Sequence, residues 1–471
     1  MKNIDRGMQR LTVGLAALVM SAGCATVQRD AQFPALKASV AERIGKEVQW
    51  RDDTFPRGQS GEAVRKLLKN PLSADAAVQI ALLNNRRLQA KFEDLGIAQS
   101  DLIEAGLLDN PVLGVSAFFQ DGGTELELDV VQNFLGVFTL SARKKIGAAA
   151  AHRTTLEVSQ SVLDLAAEVQ NQYFRVLGDT QALGLAQQVI VATEAAAELA
   201  QRQYAAGNLS KREQSLQQAF YAQTLLELAQ AEAQLEIDRE KLTRLMGLWG
   251  VDVRWSLPER LPPIPAALPE LNDVERRAIG RRLDLAAAKQ ETEGLARTLH
   301  LARQLRWLGP LGIGVQYKRS TNGEKSYGPK IEFGLPLFNQ GQTRIARFES
   351  ESRRAEERVA ALAVDIRSEA REARSRLQAL HRAAIYYETT LLPLQQTIVG
   401  ETLKFYNGML LGVYDLLLAS QAQMQTNRQY VAAIRDFWLA WTDLERALGE
   451  RIAVPATTPT ANPQSEGDKQ S

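Results

Sequence analysis

The chain of 471 residues is poor in the residue types from which most catalytic and metal sites are built. It has one cysteine and three histidines, which excludes an intrachain disulfide framework and a cysteine-ligated zinc or iron–sulfur site. His152, His300 and His381 lie far apart and show no metal-ligand spacing. Lys and Arg number 56 against 55 for Asp and Glu, so the chain lacks the positive excess typical of nucleic-acid binding. Motifs of serine hydrolases, zinc proteases and P-loop proteins are missing, and the sequence predicts no enzyme, no cofactor and no metal site.

The amino terminus has the regions of a secretory signal peptide. A basic segment with Lys2, Arg6 and Arg10 precedes the short apolar stretch Leu11–Met20, and small residues then lead into Cys24. This stretch is too short to span a membrane. We expect residues 1–23 to be removed and Cys24 to become a lipidated first residue that anchors the chain. Ordinary cleavage beside an incidental cysteine is the alternative.

Two neighbours of Cys24 bear on this expectation. Ser21 occupies a position where bacterial lipoproteins usually carry leucine, which departs from their pattern. Ala25 stands where an aspartate commonly retains lipoproteins in the inner membrane, so the resemblance to sorting signals implies the outer membrane. No later stretch is apolar for ~18 residues, and the sequence predicts no transmembrane helix. A lipid-anchored periplasmic protein and a β-barrel with a weak alternating pattern both remain open.

The chain is an internal duplication with an offset of roughly 200 residues. Four short motifs recur in the same order: Asn110–Val115 and Gly309–Gly314, Gln132–Gly136 and Leu337–Gly341, Tyr204–Gly207 and Phe405–Gly408, Leu245–Gly247 and Ala447–Gly449. Each half therefore reads as helix, two strands, very long helix, turn and returning helix. We expect an extended arm at 24–72, a first repeat at 73–250, a proline-rich linker at 251–271, a second repeat at 272–450 and a disordered periplasmic tail at 451–471.

Long helices dominate both repeats. From about residue 142 to 206 the chain lacks proline and is rich in strong helix formers, and Val162, Val169 and Val176 begin a seven-residue apolar repeat typical of left-handed supercoiling. The second long helix is predicted at about 342–407, with a kink at Pro393. Gly207 and Gly408 are expected to end the two helices. The remaining predicted helices are the returning helices, at about 211–246 and 413–448, and shorter helices at about 74–105 and 273–305.

Four segments alternate apolar and polar residues with a period of two, as the strands of a lipid-facing barrel do. A soluble two-layer sheet would show the same alternation. Four strands cannot close a barrel alone, and open edges are not tolerated in lipid, so several copies of the chain would have to share one barrel. The apolar positions are Leu113, Val115, Ala117 and Phe119; Leu126, Leu128, Val130 and Phe134; Leu311, Ile313, Val315 and Tyr317; and Ile331, Phe333, Leu335 and Leu337.

Together these features resemble the TolC-like outer-membrane efflux family over residues 70 to 450. The most specific pieces are Leu335–Gly341, between a strand and a helix, and the turns Tyr204–Ser210 and Phe405–Tyr414. The resemblance implies a mainly helical fold with a small β part, in which three copies form a twelve-stranded outer-membrane barrel and a long periplasmic α-barrel. It implies the exit duct of a tripartite pump, fed by an inner-membrane transporter and a periplasmic adaptor, for metal ions, drugs or other small molecules. The turn Tyr406–Tyr414 is similar to that of a subgroup often associated with metal resistance.

The resemblance also implies two functional regions in the helical hairpins. The two turns would form the tip that docks the adaptor, although glycines also simply end helices. Three copies of Asp415 would form an acidic ring that gates the duct and attracts cations, or Asp415 would only stabilise the first turn of its helix. A lipid-anchored coiled-coil scaffold without a pore is the second function that the sequence allows. The docking tip comprises Gly207, Asn208, Leu209, Ser210, Gly408, Met409, Leu410, Leu411 and Gly412.

Overall fold

The computed structural model describes residues 28–51, 59–120 and 123–453. Among these residues no helix combines the length and the apolar character needed to cross a membrane. Cys24 and residues 454–471 of the predicted tail lie outside the described part. The helices are α1 (Phe33–Ile44), α2 (Gln59–Leu68), α3 (Ala74–Asn84), α4 (Arg86–Ala105), α5 (Leu135–Ala205), α6 (Lys211–Leu245), α7 (Val274–Arg281), α8 (Leu283–Gln304), α9 (Gln342–Tyr386), α10 (Leu392–Asn407) and α11 (Val413–Leu448), and the strands are β1 (Val112–Gln120), β2 (Gly123–Asn133), β3 (Leu311–Arg319) and β4 (Lys325–Phe333).

The order of these elements repeats. Two short helices, two strands, a long helix and a returning helix occur as α3 to α6 and again as α7 to α11. The mainly helical class with one small sheet is therefore confirmed, and the element order agrees with the predicted duplication. The returning helices agree with their predicted bounds to within one residue, because each is set by local capping chemistry and an uninterrupted run of helix formers.

The two long helices differ in regularity. α5 contains 71 residues without a break and begins seven residues before its predicted start, since the Asn133 side chain accepts the Leu135 N–H (3.1 Å) directly after β2. The second long helix is interrupted by a π-helical turn at Tyr387–Leu391, just before Pro393. Proline has no N–H to donate within a helix, so the irregularity predicted at Pro393 takes the form of this turn.

Three boundaries differ from the sequence-based expectation. The stretch predicted as an extended arm contains α1 and α2, and the apolar pair Leu36 and Val40 of α1, one helical turn apart, is fully buried. The two short-helix regions are each split, at Asn85 and at Arg282. β4 ends at Phe333, so Leu335 and Leu337 lie beyond the ladder; Pro336 between them has no N–H for a strand partner.

By contacts the chain divides into two compact units. The sheet unit consists of the described residues up to Leu36, Phe92–Val158 and Ala286–Val359. It holds one antiparallel sheet with the order β1-β2-β3-β4, together with parts of the helices that precede and follow the strands. Phe33 and Phe92 pack edge to face in this unit with ring centroids 5.4 Å apart.

The helical unit consists of Lys37–Lys91, Ser159–Leu285 and the described residues from Ala360 onwards. Its aromatic core stacks Phe174 of α5 on Trp438 of α11, with ring centroids 5.4 Å apart. The proline-rich linker packs against this core, because the Trp438 indole donates to the Pro262 carbonyl (2.9 Å) and a His381 ring nitrogen lies 2.8 Å from the Pro265 carbonyl. The linker is therefore an ordered part of the unit.

Within the helical unit, each returning helix ends against the break between two short helices. In the first repeat the Asn85 side chain donates to the Leu245 carbonyl (2.8 Å), and the Asn84 side chain donates to the Gly247 carbonyl (2.6 Å). Gly247 has a φ of 67°, and a Cβ there would lie 2.8 Å from the Asn84 carbonyl oxygen. In the second repeat the Arg43 guanidinium donates to the Arg281 carbonyl, directly before the break, and to the Gly449 carbonyl, directly after α11 (2.6 and 3.0 Å). This joint explains why the short helices break.

Candidate functional site: the sheet and the hairpin turns

The apolar positions of all four strands fall on one face of the sheet. Val130 pairs with Leu113 on one side and with Val315 on the other, and the next such row joins Leu128 to Tyr317. Many of these side chains are exposed, with Val315 at 65%. A large exposed apolar surface indicates contact with another protein or with lipid.

The opposite face of the sheet is mostly polar, with Val112, Phe118 and Val131 as exceptions, and its charges are paired across strands. Lys330 lies 3.1 Å from Asp129, Lys318 forms an ion pair with Glu125, and the Gln316 side chain donates to Glu127. The alternation predicted for these strands is therefore present in the sheet, apart from Phe134 beyond β2 and Leu335 and Leu337 beyond β4.

The sheet has two edges without a partner in the described part of the chain. β1 pairs only with β2, and β4 pairs only with β3. Unpaired strand edges present rows of N–H and C=O groups that pair readily with another strand. The sheet can therefore continue into further strands at both ends.

The turn of the first repeat has the predicted capping residues. Gly207 adopts a φ of 76°, and the N–H groups of Gly207 and Asn208 donate to the carbonyls of Tyr204 and Gln203 (3.0 and 2.9 Å), which is a Schellman motif. Ser210 then begins α6 with a capping box, since its hydroxyl accepts the Glu213 N–H (3.2 Å) and its N–H donates to the Glu213 carboxylate (3.1 Å). The hydrogen bonds from Ser210 lower the pKa of Glu213.

The turn of the second repeat places its left-handed residue elsewhere. α10 ends directly before Gly408, as expected, but Gly408 has a φ of −78° and the left-handed residue is Met409, with a φ of 57°. The N–H groups of Met409 and Leu410 donate to the carbonyls of Tyr406 and Phe405 (both 2.9 Å). The Schellman motif thus lies one residue later, and a methionine takes a conformation that costs ~1–2 kcal/mol without glycine.

The two turns expose different chemistry. Met409 and Leu410 are 94% and 72% exposed, and Leu411 is also exposed, whereas Leu209 is half-buried. The other five residues of the predicted tip, Gly207, Asn208, Ser210, Gly408 and Gly412, are exposed. The apolar surface of the tip is therefore concentrated in the second repeat.

Asp415 caps its own helix. Its exposed carboxylate accepts the Gly412 N–H (2.9 Å) at the start of α11, and Gly412 offers no side chain in return. Contacts between the hairpins come from other residues: the Tyr414 hydroxyl donates to the Gln203 side chain (2.8 Å), and Arg428 donates to Glu227 (2.6 Å). Lys211, at the start of α6, donates to the Gln214 side chain (2.8 Å).

A buried carboxyl pair in the helical unit was not found by sequence reasoning. Burial raises the pKa of Asp179 on α5 to about 6, assisted by the neighbouring Asp238. Burial also opposes ionisation of Asp238 on α6, but hydrogen bonds from Lys241, Gln234 and Gln172 outweigh it and lower its pKa to about 2. Asp179 and Asp238 are 59 positions apart in the sequence and lie on different helices. No local sequence pattern therefore predicts that they are neighbours.

The chain is similar to known proteins in sequence and in fold, although no family model matches it. It is 24% identical over 408 residues to the cobalt-zinc-cadmium resistance protein CzcC of Cupriavidus metallidurans, with 84% of this chain and 92% of CzcC aligned. A membrane protein from Pseudomonas aeruginosa has a TM-score of 0.69 at 17% identity, over 80% of this chain and 93% of that one. The Campylobacter jejuni outer membrane channel CmeC has a TM-score of 0.69 at 13% identity, over 87% of this chain and 92% of that one.

Proposed function

We infer that this chain, whose fold is that of the TolC-like outer-membrane channels, is the outer-membrane channel of a tripartite efflux system. The observation that carries the inference is the sheet, which has one exposed apolar face, one polar face with paired charges and two open edges. Such a sheet suits a barrel wall between lipid and a water-filled lumen. The function is conduction, with no chemical step.

We propose that three copies of the chain share one twelve-stranded barrel. Four strands with both edges open require partners in lipid, and β1 of one copy can pair with β4 of the next. The long helices would then surround a periplasmic continuation of the lumen, as the seven-residue repeat in α5 supports, since Val162, Val169 and Val176 are buried.

Single-channel recording of the purified chain in planar bilayers tests this function. We expect discrete conductance steps, together with a protein mass by light scattering in detergent of about three times the 52.0 kDa chain. The competing function, a lipid-anchored coiled-coil scaffold, has no closed barrel and gives no conductance. A monomer that still forms pores would contradict the shared barrel.

We propose metal cations as the exported substrate. The support is the relative CzcC, whose name states cobalt, zinc and cadmium resistance, and the acidic side chains on the polar face of the sheet, Glu125, Glu127 and Asp129. Deleting the gene should lower the growth tolerance of the host for these cations. Unchanged metal tolerance with lowered tolerance for organic drugs would assign drugs as the substrate.

We propose that the two turns dock a periplasmic adaptor, on the support of the apolar side chains of Met409, Leu410 and Leu411. Cysteines introduced by Ser210→Cys and Leu411→Cys should crosslink to the adaptor in cells. Gln188→Cys, at an exposed position within α5, is the matched control. Crosslinking of the control alone would contradict docking at the turns.

We propose that lipid on Cys24 anchors the mature chain in the outer membrane. The support is the signal peptide that ends at this residue, the only cysteine of the chain. Labelled palmitate should be incorporated into the wild-type protein and not into Cys24→Ser. Equal labelling of both proteins would contradict the anchor and leave the channel function untouched.

A further inference from the structure

A cleft of about 320 Å³ lies in the sheet unit where the second repeat passes between strands and helices. Its walls are the segment after α8, the segment after β4 and the first turn of α9. The volume lies at the lower end of the ~300–1,000 Å³ typical of small-ligand sites. Neither the proposed lumen nor the proposed docking tip includes it.

Two arginines line this cleft, Arg306 and Arg344. The described residues that line it include no carboxylate, and neither guanidinium forms an ion pair within residues 28–51, 59–120 and 123–453. Their neighbours Arg303 and Arg347 are paired, with Glu349 (2.6 Å) and Glu351 (2.8 Å). The cleft therefore concentrates positive charge that the protein itself leaves uncompensated.

Large apolar side chains border the same cleft. Leu335 lines it, and the adjoining Leu337 is also exposed. Phe338 is 94% exposed, and Trp307 is 59% exposed with the Arg306 guanidinium 4.8 Å from its ring centroid. Tryptophan and phenylalanine beside basic residues are typical of the boundary between lipid and water. The apolar sheet face begins directly after this segment, at Leu311 and Phe333.

The first repeat has no arginine at the corresponding positions. Counted from the shared Pro111 and Pro310, Leu107 stands where the second repeat has Arg306; counted from the shared Gly136 and Gly341, Thr139 stands where it has Arg344. The Leu107 carbonyl accepts a hydrogen bond from Arg143 (2.9 Å), and the Asp109 carbonyl accepts one from Gln132 (2.8 Å). Within the described residues, the two arginines without a carboxylate partner thus occur at this place in the second repeat and not at its counterpart in the first.

We propose that this cleft binds the phosphodiester headgroup of a glycerophospholipid from the periplasmic leaflet of the outer membrane. Guanidinium groups bind phosphate oxygens through charge-assisted, bidentate hydrogen bonds, and the acyl chains would lie along Leu335, Leu337 and Phe338. Two cations without a carboxylate favour a headgroup of net negative charge, such as phosphatidylglycerol, over a zwitterionic one. The proposal rests on the proposed function, since it requires the sheet to stand in the outer membrane.

Native mass spectrometry of the full chain in a neutral detergent tests the site, with phosphatidylglycerol as the probe. We expect the double variant Arg306→Gln/Arg344→Gln to bind phosphatidylglycerol about tenfold or more weakly than the wild type, because two charged hydrogen-bond donors are lost. Arg347→Gln removes the same charge three residues further along α9, outside the cleft. This control should bind phosphatidylglycerol as the wild type does. Circular dichroism verifies that the exposed substitutions leave the fold intact, and each single variant should show part of the loss.

Three results would overturn the proposal. The first is equal binding of phosphatidylglycerol by the double variant and the wild type. The second is a loss of affinity in the Arg347→Gln control as large as that in the double variant. The third is displacement of the lipid by inorganic phosphate at equal concentration. The last result would assign the cleft to free phosphate. Conductance of the same wild-type preparation is recorded in parallel, so that a chain that conducts without retaining lipid refutes only the lipid site, and a chain that retains lipid without conducting refutes only the channel.

Discussion

The two repeats have the same order of elements but end their helices with different chemistry. The first repeat uses Gly207 in the left-handed position and closes a complete capping box with Ser210 and Glu213. The second repeat puts Met409 in the left-handed position and has only half of a capping box, from Asp415 to the Gly412 N–H. The first turn thus has the residues that helix ends prefer. The second turn departs from this preference at Met409, which is left-handed without being glycine, and at Gly412, which has no side chain to cap α11.

The same contrast holds at the junction with the sheet and within the long helices. In the first repeat Arg143 donates to the Leu107 carbonyl at this junction, and α5 has no break. In the second repeat Arg306 and Arg344 form no ion pair within the described part of the chain, and a π-helical turn interrupts the long helix. Proteins keep local exceptions where function requires them and satisfy local preferences elsewhere. We therefore propose that the second repeat makes the larger share of the contacts with lipid and adaptor.

We expect the strands of the two repeats to respond alike to substitution, and substitutions in the sheet to have the largest effect on membrane insertion. An arginine on the apolar face should cost ~2–4 kcal/mol near the bilayer midplane whichever repeat supplies the strand. Leu128→Arg on β2 and Val315→Arg on β3 should therefore reduce membrane insertion to a similar degree, measured as the folded fraction recovered in lipid vesicles. Glu127→Gln, on the polar face of β2, is the control and should insert normally. Full insertion of either arginine variant would contradict a shared lipid face.

The first repeat also contains an unusual feature, the carboxyl pair Asp179 and Asp238, whose pKa values are shifted in opposite directions. Asp179 ionises with a pKa of about 6 in the folded chain, so an unfolded chain releases this proton at lower pH, and stability falls as the pH rises from about 4 to about 6. Asp238, with its pKa lowered to about 2, contributes stability that is present above about pH 4 and is lost as the pH falls towards 2. The pair alone thus favours a stability maximum near pH 4.

Replacing Asp179 with asparagine should abolish the loss of stability between pH 4 and pH 7. We expect Asp179→Asn to be more stable than the wild type at pH 7.5 by about 2–3 kcal/mol and nearly equal to it at pH 4, since the amide can donate to Asp238 as a neutral carboxyl does. Guanidinium unfolding followed by tryptophan fluorescence at both pH values measures this. Asp164→Asn, at an exposed position of the same helix, should leave the pH dependence unchanged. A parallel pH dependence of Asp179→Asn and wild type would refute the assignment.

Much of the fold could be predicted because it follows from local patterns. The duplicated order, the two returning helices and the alternation of the strands depend on helix formers, caps and a period of two, which are all visible in the sequence. The breaks at Asn85 and Arg282 could not be predicted, because their partners are distant in the sequence. The Leu245 carbonyl is 160 positions from Asn85, and the Arg43 guanidinium is 238 positions from the Arg281 carbonyl that it contacts. The left-handed conformation of Met409 could not be predicted for another reason. Glycine is the residue that most often adopts this conformation, which favours Gly408, but in the structure the left-handed residue lies one position later.

Exchanging the residues of the two left-handed positions tests the contrast between the turns. Gly207→Met should destabilise the first turn by ~1–2 kcal/mol because its φ is positive. Met409→Gly should stabilise the second turn by a smaller amount, ~0.5–1 kcal/mol, since glycine has more freedom to lose on folding. Hydrogen exchange at the Asn208 and Leu410 amides, which close the two motifs, reports both changes. Slower exchange at Asn208 in Gly207→Met would show that the first turn does not need glycine.

The smallest expected effect distinguishes the two roles of Asp415. As a cap, its carboxylate accepts the Gly412 N–H and offsets the helix dipole, so Asp415→Asn should lose ~0.3–1 kcal/mol of local stability, seen as faster exchange in the first turn of α11. As a ring around the axis of a trimer, it should also attract cations, and Asp415→Asn should lower the cation preference of the channel in bilayers. If the residue in addition holds the duct closed, the same variant should conduct more. Glu213→Gln removes the corresponding charge of the first repeat and is the matched control, for which faster exchange at the start of α6 is expected without a change in selectivity. Faster exchange in Asp415→Asn with unchanged conductance and unchanged selectivity would leave this carboxylate a helix cap alone.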